Sequence, residues 1–266
     1  MDTFLCGAVL STAKAHLTPQ RLLGTFTPAY DLIGTKDQGM DYAIGDVHGC
    51  RDKLAHLLDL LRYDPTADRL IFLGDYIDRG PDSKGVLALI LCLQRENAAN
   101  VFLMGNHEDN FLTYVQACQT AEGASYWLKE PFFAGGGIAT LRSYCPGLRN
   151  PYEERIIDVI PPEHLTFLAN LRLYWTNHDY IAVHAGVRPG IPLEHQDEND
   201  LLRIRGPFLY TPHGLGKCVV FGHTPFRDVR RDADKIGIDT GACYGDMGYG
   251  KLTALCLQTQ LTFQVA

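Results

Sequence analysis

From Asp41 onward, apolar runs too short for helices recur along the chain, and each stops at a glycine or a histidine. They are Tyr42-Ala43-Ile44, Leu70-Ile71-Phe72-Leu73, Val101-Phe102-Leu103-Met104, Tyr180-Ile181-Ala182-Val183 and Cys218-Val219-Val220-Phe221. Near-continuous apolar runs of this length predict strands buried on both faces. Ile236-Gly237-Ile238 and Leu252 to Leu257 predict closing strands, joined by a glycine-rich turn from Gly241 to Gly250. Between the first strands the period changes. Leu54, Leu57, Leu58 and Leu61 follow i, i+3, i+4, i+7 spacing, which predicts a helix with one apolar face. Ser83 to Leu93 predicts a second helix with Ser83 as its N-cap. Pro162 to Leu171 predicts a third, with proline in its first turn. Strand–helix alternation early in the chain predicts an α/β fold with βαβ units. Residues 1–40 carry Pro19, Pro28 and Gly at 24, 34 and 39 without periodicity. They read as a loosely packed N-terminal extension to a catalytic domain spanning 41–266.

Composition narrows the classes. The 266 residues are 46% hydrophobic and 21% charged, which excludes wholesale disorder and fibrous structure. No apolar run approaches the roughly 18 residues of a membrane span. The net charge of −7 argues against a general nucleic-acid coat, since phosphate backbones are bound by an excess of Lys and Arg. Neither nucleic acid nor membrane is therefore expected as a partner, and an anionic substrate would need positive potential built locally. The eight cysteines are widely spread with no C-x-x-C pair, which suits a reducing cytoplasm better than a zinc ribbon. Phe4 to Leu10 and Ala13-Lys14-Ala15 imitate a signal peptide, but Asp2 stands where a positive n-region belongs, so a cytoplasmic leader is the reading.

The informative residues stand immediately past the end of each strand. Ile44 leads into Gly45-Asp46-Val47-His48-Gly49, Leu73 into Gly74-Asp75-Tyr76-Ile77-Asp78-Arg79-Gly80, and Met104 into Gly105-Asn106-His107-Glu108. Val183 leads into His184-Ala185-Gly186, and Phe221 into Gly222-His223-Thr224-Pro225. In open α/β sheets, ligands gather at the carboxyl ends of strands, and glycine lets the backbone turn sharply beside them. Imidazole nitrogens with carboxylate and amide oxygens suit borderline divalent ions such as Mn, Fe or Zn. Two such ions less two aspartates leave about +2, and a bridging hydroxide leaves about +1. Two arginines bring this to about +3, facing a phosphomonoester of about −2.

Each residue alone has a plainer reading. Asp46 or Asp75 could cap a helix or a turn, Asn106 could occupy a left-handed turn, and His184 and His223 could be core histidines. Only the joint pattern favours ligands. Glu108 fits equally a carboxylate supporting the ligands and one facing a helix N-terminus. His16, His56, His164, His178, His195 and His213 read as surface or structural, and Arg142, Arg188 and Arg227 as surface charges. Gly135-Gly136-Gly137 reads as a flexible turn, and Tyr126 and Trp127 as packing residues.

The motifs G-D-x-H-G, G-D-x-x-D-R-G and G-N-H-E, in this order and about 30 residues apart, resemble the PPP-type metallophosphatases. His184-Ala185-Gly186 and Gly222-His223-Thr224 extend the likeness from about Asp41 to Leu257. Leu202 to Phe208 and Ile238-Asp239-Thr240-Gly241-Ala242 are more similar to the bacterial serine/threonine protein phosphatase branch. The resemblance implies a metallophosphoesterase-type β-sandwich of two mixed sheets flanked by helices, in α/β/β/α layers. It implies two divalent metals, foremost manganese, with iron or zinc as alternatives. Asp46, His48 and Asp75 would hold the first, and Asp75, Asn106, His184 and His223 the second, with Asp75 bridging. His107, oriented by Asp78, would protonate the leaving alkoxide, and Arg79 and Arg205 would clamp the phosphate. Arg203 is the alternative clamp, since it stands where the family often has tryptophan. A metal-bridging hydroxide would attack phosphorus in line. The turn from Cys243 to Gly250 is lengthened by Asp246-Met247-Gly248-Tyr249 relative to the family, which places an extra Tyr and Asp near the cleft.

The leading expectation is thus a cytoplasmic serine/threonine protein phosphatase acting on a phosphoprotein or phosphopeptide. The alternative is a symmetrical dinucleoside polyphosphate hydrolase, such as a diadenosine tetraphosphatase. A binding protein that has lost catalysis is disfavoured, because all six proposed metal ligands and the acid dyad are present.

Overall fold

The computed structural model describes residues 39–119, 126–150, 154–246 and 248–266. The predicted N-terminal extension and its leader lie outside them but for the last two residues, as do Met247 and the side chain of Tyr126.

The predicted apolar runs form strands. In chain order these are β1 (Asp41–Ile44), β2 (Arg69–Phe72), β3 (Val101–Phe102), β4 (Tyr174–Thr176), β5 (Tyr180–Val183), β6 (Cys218–Phe221), β7 (Arg230–Arg231), β8 (Lys235–Gly237), β9 (Leu252–Cys256) and β10 (Thr262–Val265). They make two five-stranded sheets, ordered β10-β9-β1-β2-β3 and β4-β5-β6-β8-β7. Both are mixed. β1, β2 and β3 run parallel, with β9 and β10 antiparallel beside them. β5, β6 and β8 run parallel, with β4 and β7 antiparallel at the edges.

Side-chain alternation explains the layering. Tyr42, Ile44, Leu70 and Phe72 face one core with the helices, while Ala43, Ile71 and Leu73 turn to the opposite face. There they meet Ala182, Val220, Ile236 and Ile238 of the other sheet, forming the dry interior of the sandwich. The outward residues Ile181, Val183, Val219 and Phe221 pack with Leu201, Ile204 and Phe208 in a third cluster. Both sheets are thus apolar on each face, which is why their strands read as unbroken hydrophobic runs.

The helices are α1 (Arg51–Leu61), α2 (Ser83–Glu96), α3 (Asn106–Gln119), α4 (Tyr126–Ala134), α5 (Gly137–Tyr144), α6 (Pro162–Ala169), α7 (Glu198–Arg203) and α8 (Gly206–Leu209). The predicted stripe of α1 is buried at Leu54, Leu57, Leu58 and Leu61. Two expectations shift. Asp82, not Ser83, caps α2, its carboxylate accepting the Gly85 N–H at 2.8 Å. Ser83 is the first helical residue, and its hydroxyl turns inward toward Asp78. Trp127 was expected to pack, yet it is 78% exposed. Among the described residues no helix is long and apolar enough to cross a membrane, and the seven described cysteines form no disulfide.

Candidate metal centre

The loops that follow β1, β2, β3, β5 and β6 leave the carboxyl ends of parallel strands, three from one sheet and two from the other. Their contacts show that they meet. The Val47 and His48 N–H groups both donate to the Asp75 carbonyl, at 3.1 and 2.8 Å. The His223 N–H donates to Asp46 Oδ2 at 2.9 Å, the His107 N–H to Asp75 Oδ1 at 3.2 Å, and the Gly222 N–H to the His184 carbonyl at 2.8 Å. A methyl group on Gly222 would stand 2.0 Å from Asp46 Oδ1, and one on Gly105 would stand 2.1 Å from Asp75 Oδ1. These two glycines therefore make the room in which the carboxylates sit.

Backbone strain concentrates here. Among the described residues, seven non-glycine residues have positive φ, and His48, Asp75, Asp78, Arg79 and His223 are five of them. Each costs on the order of 1–3 kcal/mol, which only a tightly determined surrounding sustains.

The polar atoms are spaced as ligands to common ions. His223 Nδ1 lies 2.8 Å and His184 Nε2 3.1 Å from Asn106 Oδ1. Asp75 Oδ1 is 3.4 Å from His184 Nε2, and Asp75 Oδ2 is 3.5 Å from His48 Nε2. Ligand atoms sharing an ion at about 2.0–2.2 Å lie roughly 3–3.6 Å apart in a tetrahedral or octahedral shell. One oxygen of Asp75 thus addresses each half of the site, giving two groups with Asp75 in common: His48-Asp75-His107 and Asp75-His184-His223. The first contains His107 where the resemblance implied Asp46. Asp46 is nevertheless beside it, and its Oδ1 is buried without a hydrogen-bond partner. An orphaned carboxylate oxygen in the interior costs several kcal/mol unless a cation takes it. The donor set fits a pair of divalent ions.

Hydrogen bonds also set the imidazoles. His48 Nδ1–H donates to the Ile77 carbonyl at 2.8 Å and His184 Nδ1–H to the Leu73 carbonyl at 2.9 Å, which turns both Nε2 lone pairs inward. Burial disfavours the protonated form of these rings, pulling His48 down to about 3, His223 to about 2, and His184 below its ordinary value. Asp75 is held below the carboxylate range, because the surrounding imidazoles outweigh its burial. Asp46 is pushed well up by burial, then by Asp239 and Asp75.

His107 and Asp78 form the expected pair, with Nδ1–H donating to Asp78 Oδ2 at 2.7 Å. Burial lowers the affinity of His107 for a proton, but Asp75 and Asp78 together outweigh it and raise it. Arg79 donates to His48 Nε2 at 2.8 Å and His107 Nε2 at 2.9 Å, with its guanidinium 5.6 Å from the Tyr244 ring centroid. Arg205 is exposed and reaches the His223 carbonyl at 3.3 Å. Arg203 instead spends its guanidinium on Asp109 at 2.5 Å and Asn110 at 2.9 Å. Arg205→Ala should therefore lower kcat/KM on phosphate substrates about 10- to 100-fold with an unchanged Tm. Arg203→Ala should lower Tm by a few degrees with a smaller kinetic effect. Thermal melts and kinetics on both variants check the pair, and the reverse pattern would make Arg203 the clamp.

Three residues were missed or left undecided by the sequence. Glu108 performs both suggested roles. It accepts the Gly105 N–H at 3.0 Å as a helix capping carboxylate, and it accepts the N–H groups of Asp75, Tyr76 and Ile77 at 2.8, 2.8 and 3.3 Å. Its i+3 position from Gly105 is the signal that could have found it. Asp239, buried beside Asp46, accepts the Gly241 N–H at 2.9 Å, and burial pushes it up to about 6. Thr140 bonds Asp78 and had no signal at all. The Gly135-Gly136-Gly137 run lies against the site, the Gly136 carbonyl accepting the Arg79 N–H at 3.3 Å. Lys53 pins the lengthened turn, donating to the carbonyls of Ala242 at 3.0 Å and Gly250 at 2.6 Å.

Residues 42–233 match the family described as calcineurin-like phosphoesterase. The chain is 39% identical over 278 residues to a symmetrical bis(5'-nucleosyl)-tetraphosphatase of Legionella pneumophila strain Corby, covering 85% of this chain and 96% of the relative. It is 29% identical over 234 residues to serine/threonine-protein phosphatase 1 of Salmonella typhimurium, covering 86% and 97%. With the symmetrical tetraphosphatase of Nitrosospira multiformis it is 29% identical over 153 residues, 58% of this chain and 46% of that relative. Among solved structures, that of a candidate diadenosine tetraphosphatase superposes with a TM-score of 0.63 at 23% identity, covering 86% of this chain and 94% of the other, a likeness of fold.

Proposed function

The chain belongs to the calcineurin-like phosphoesterase family, and from that premise we propose that it is a two-metal serine/threonine protein phosphatase acting on a phosphoprotein or phosphopeptide. Asp46, His48 and Asp75 would hold one divalent ion, and Asp75, Asn106, His184 and His223 the other, with manganese the foremost candidate. When bound, such a pair polarises phosphoryl oxygens and supplies a water nucleophile at neutral pH.

The chain's own residues do the rest. Arg79 and Arg205 orient the phosphate and supply positive charge that an acidic protein otherwise lacks. His107 delivers a proton from Nε2 to the leaving oxygen, while Asp78 holds its Nδ1 and stabilises the imidazolium. Burial lowers the proton affinity of His107 but Asp75 and Asp78 raise it by more, which favours the acid form once Arg79 turns from His107 Nε2 to the phosphate.

The observation that carries this reading is the buried Asp78–His107 pair. A seryl or threonyl alkoxide is a strongly basic leaving group and gains most from protonation. A nucleoside diphosphate leaves as a phosphate with a pKa of about 6 and gains much less. The second reading, a symmetrical dinucleoside polyphosphate hydrolase, draws on the names of the Legionella and Nitrosospira relatives. It also draws on the Tyr244 ring beside Arg79, a face on which a base could stack. Parallel turnover of a phosphoserine peptide and diadenosine tetraphosphate by manganese-loaded enzyme separates the two. The peptide is expected to be the better substrate, and a preference for the dinucleotide by orders of magnitude would replace the first reading with the second.

A further inference from the structure

Thr140 is the fourth residue of α5, outside every motif that carries the proposed chemistry. It is fully buried, and its hydroxyl makes three contacts, two with Asp78 and one with Ser83. Thr140 Oγ1 is 2.6 Å from Asp78 Oδ1, 2.8 Å from the Asp78 N–H and 3.1 Å from Ser83 Oγ. A hydroxyl has one proton and two lone pairs. The Asp78 N–H can only donate, so one lone pair of Thr140 receives it. The carboxylate oxygen accepts, so the Thr140 proton goes there. The remaining lone pair is left for the Ser83 hydroxyl. The chain of donation therefore has one direction, from Ser83 to Thr140 to Asp78 Oδ1. Asp78 Oδ2 is left to accept from His107 Nδ1 at 2.7 Å.

The same hydroxyl fixes two freedoms of Asp78. Accepting its N–H helps hold the residue at φ 71°, a left-handed conformation less favourable for aspartate than for glycine. Donating to Oδ1 fixes the rotation of the carboxylate, and through Oδ2 the plane of the His107 ring. We infer that Thr140 is a positioning residue for the Asp78–His107 pair, setting the orientation of the proton donor through its hydroxyl. This rests on His107 acting as the general acid of phosphomonoester hydrolysis. In a Thr140→Val variant, Asp78 Oδ1 loses its donor in a dry site. The Asp78 N–H keeps Ser83 Oγ at 3.1 Å, so the loop retains one anchor.

The test compares Thr140→Val, Thr140→Ser and His107→Ala on a phosphoserine peptide and on p-nitrophenyl phosphate, whose leaving group needs little protonation. Thr140→Val is expected to lower kcat on the peptide about 10- to 100-fold, and on the aryl ester less than about threefold, with KM little changed. Thr140→Ser restores the hydroxyl and is expected to restore most of the peptide rate. Equal losses on both substrates for Thr140→Val, with His107→Ala still discriminating between them, would leave the acid assignment standing and overturn the role of Thr140. So would a serine variant as slow as valine. Equal losses for His107→Ala would remove the acid itself, and the inference would fall with it. If the valine variant does not fold, Thr140→Ala removes the same hydroxyl without branching and is judged by the same ratio.

Discussion

Asp75→Asn is expected to lower turnover by more than about 10³-fold and to leave fewer than two metal ions on each chain. The two oxygens of Asp75 lie 3.4 Å from His184 Nε2 and 3.5 Å from His48 Nε2, so on the proposed reading a single carboxylate would serve both halves of the centre. Asparagine removes the negative charge and turns one of those oxygens into a donor that no cation accepts. The loop itself should survive, because Glu108 still grips the N–H groups of residues 75, 76 and 77, and the main chain of residue 75 still receives those of Val47 and His48. Metal content by mass spectrometry, read beside turnover and Tm, separates a lost site from a lost fold. A folded variant with full activity and two bound ions would remove Asp75 from the bridging position.

His107→Ala is expected to cost about 10²- to 10⁴-fold on a phosphoserine peptide and about tenfold or less on an activated aryl phosphate. The asymmetry arises from the leaving groups: an alkoxide needs the proton, and a stabilised aryl oxide largely does not. Asp75 and Asp78 raise the proton affinity of His107, so the wild-type peptide rate should fall as pH rises through the shifted pKa. That alkaline limb should vanish in the variant. Rates on both substrates over a pH series check it, and equal losses on the two would count against proton delivery by His107.

Much of this site could be read before the structure, for a physical reason. A strand buried on both faces reads as an unbroken apolar run, and the change to a histidine, or to a glycine followed by Asp, Asn or His, marks where the chain leaves the sheet. Asp46, Asp75, Asn106, His184 and His223 all stand at such ends. The α1 stripe was legible because Leu54, Leu57, Leu58 and Leu61 share one face. The pairing of strands into two sheets was not, since periodicity carries no partner information, and only the family resemblance implied it. The edge strands β4, β7 and β10 escaped notice. They are short or largely polar, and an edge needs little burial to pair.

The supporting residues were the least visible. Thr140 looks like any helical threonine, and its role exists only because α5 sets its hydroxyl against Asp78. Ser83 resembled a cap by composition, while Asp82 one residue earlier takes that position and frees the serine to face inward. Trp127 reads as a packing residue in the sequence, yet it is exposed near the start of α4. The lengthened turn from Cys243 to Gly250 was plain in the sequence. Its anchoring by Lys53, nearly two hundred residues away, was not.

Loops from two sheets converge, on this account, around a pair of cations with one carboxylate between them. A crystal of the wild-type protein grown with manganese, with data collected at the manganese absorption edge, tests that convergence directly. Two anomalous peaks are expected flanking the Asp75 carboxylate, one bonded to Asp46 and His48 and the other to Asn106, His184 and His223. A map without peaks there, with those side chains diverging around an empty cleft, would contradict the account.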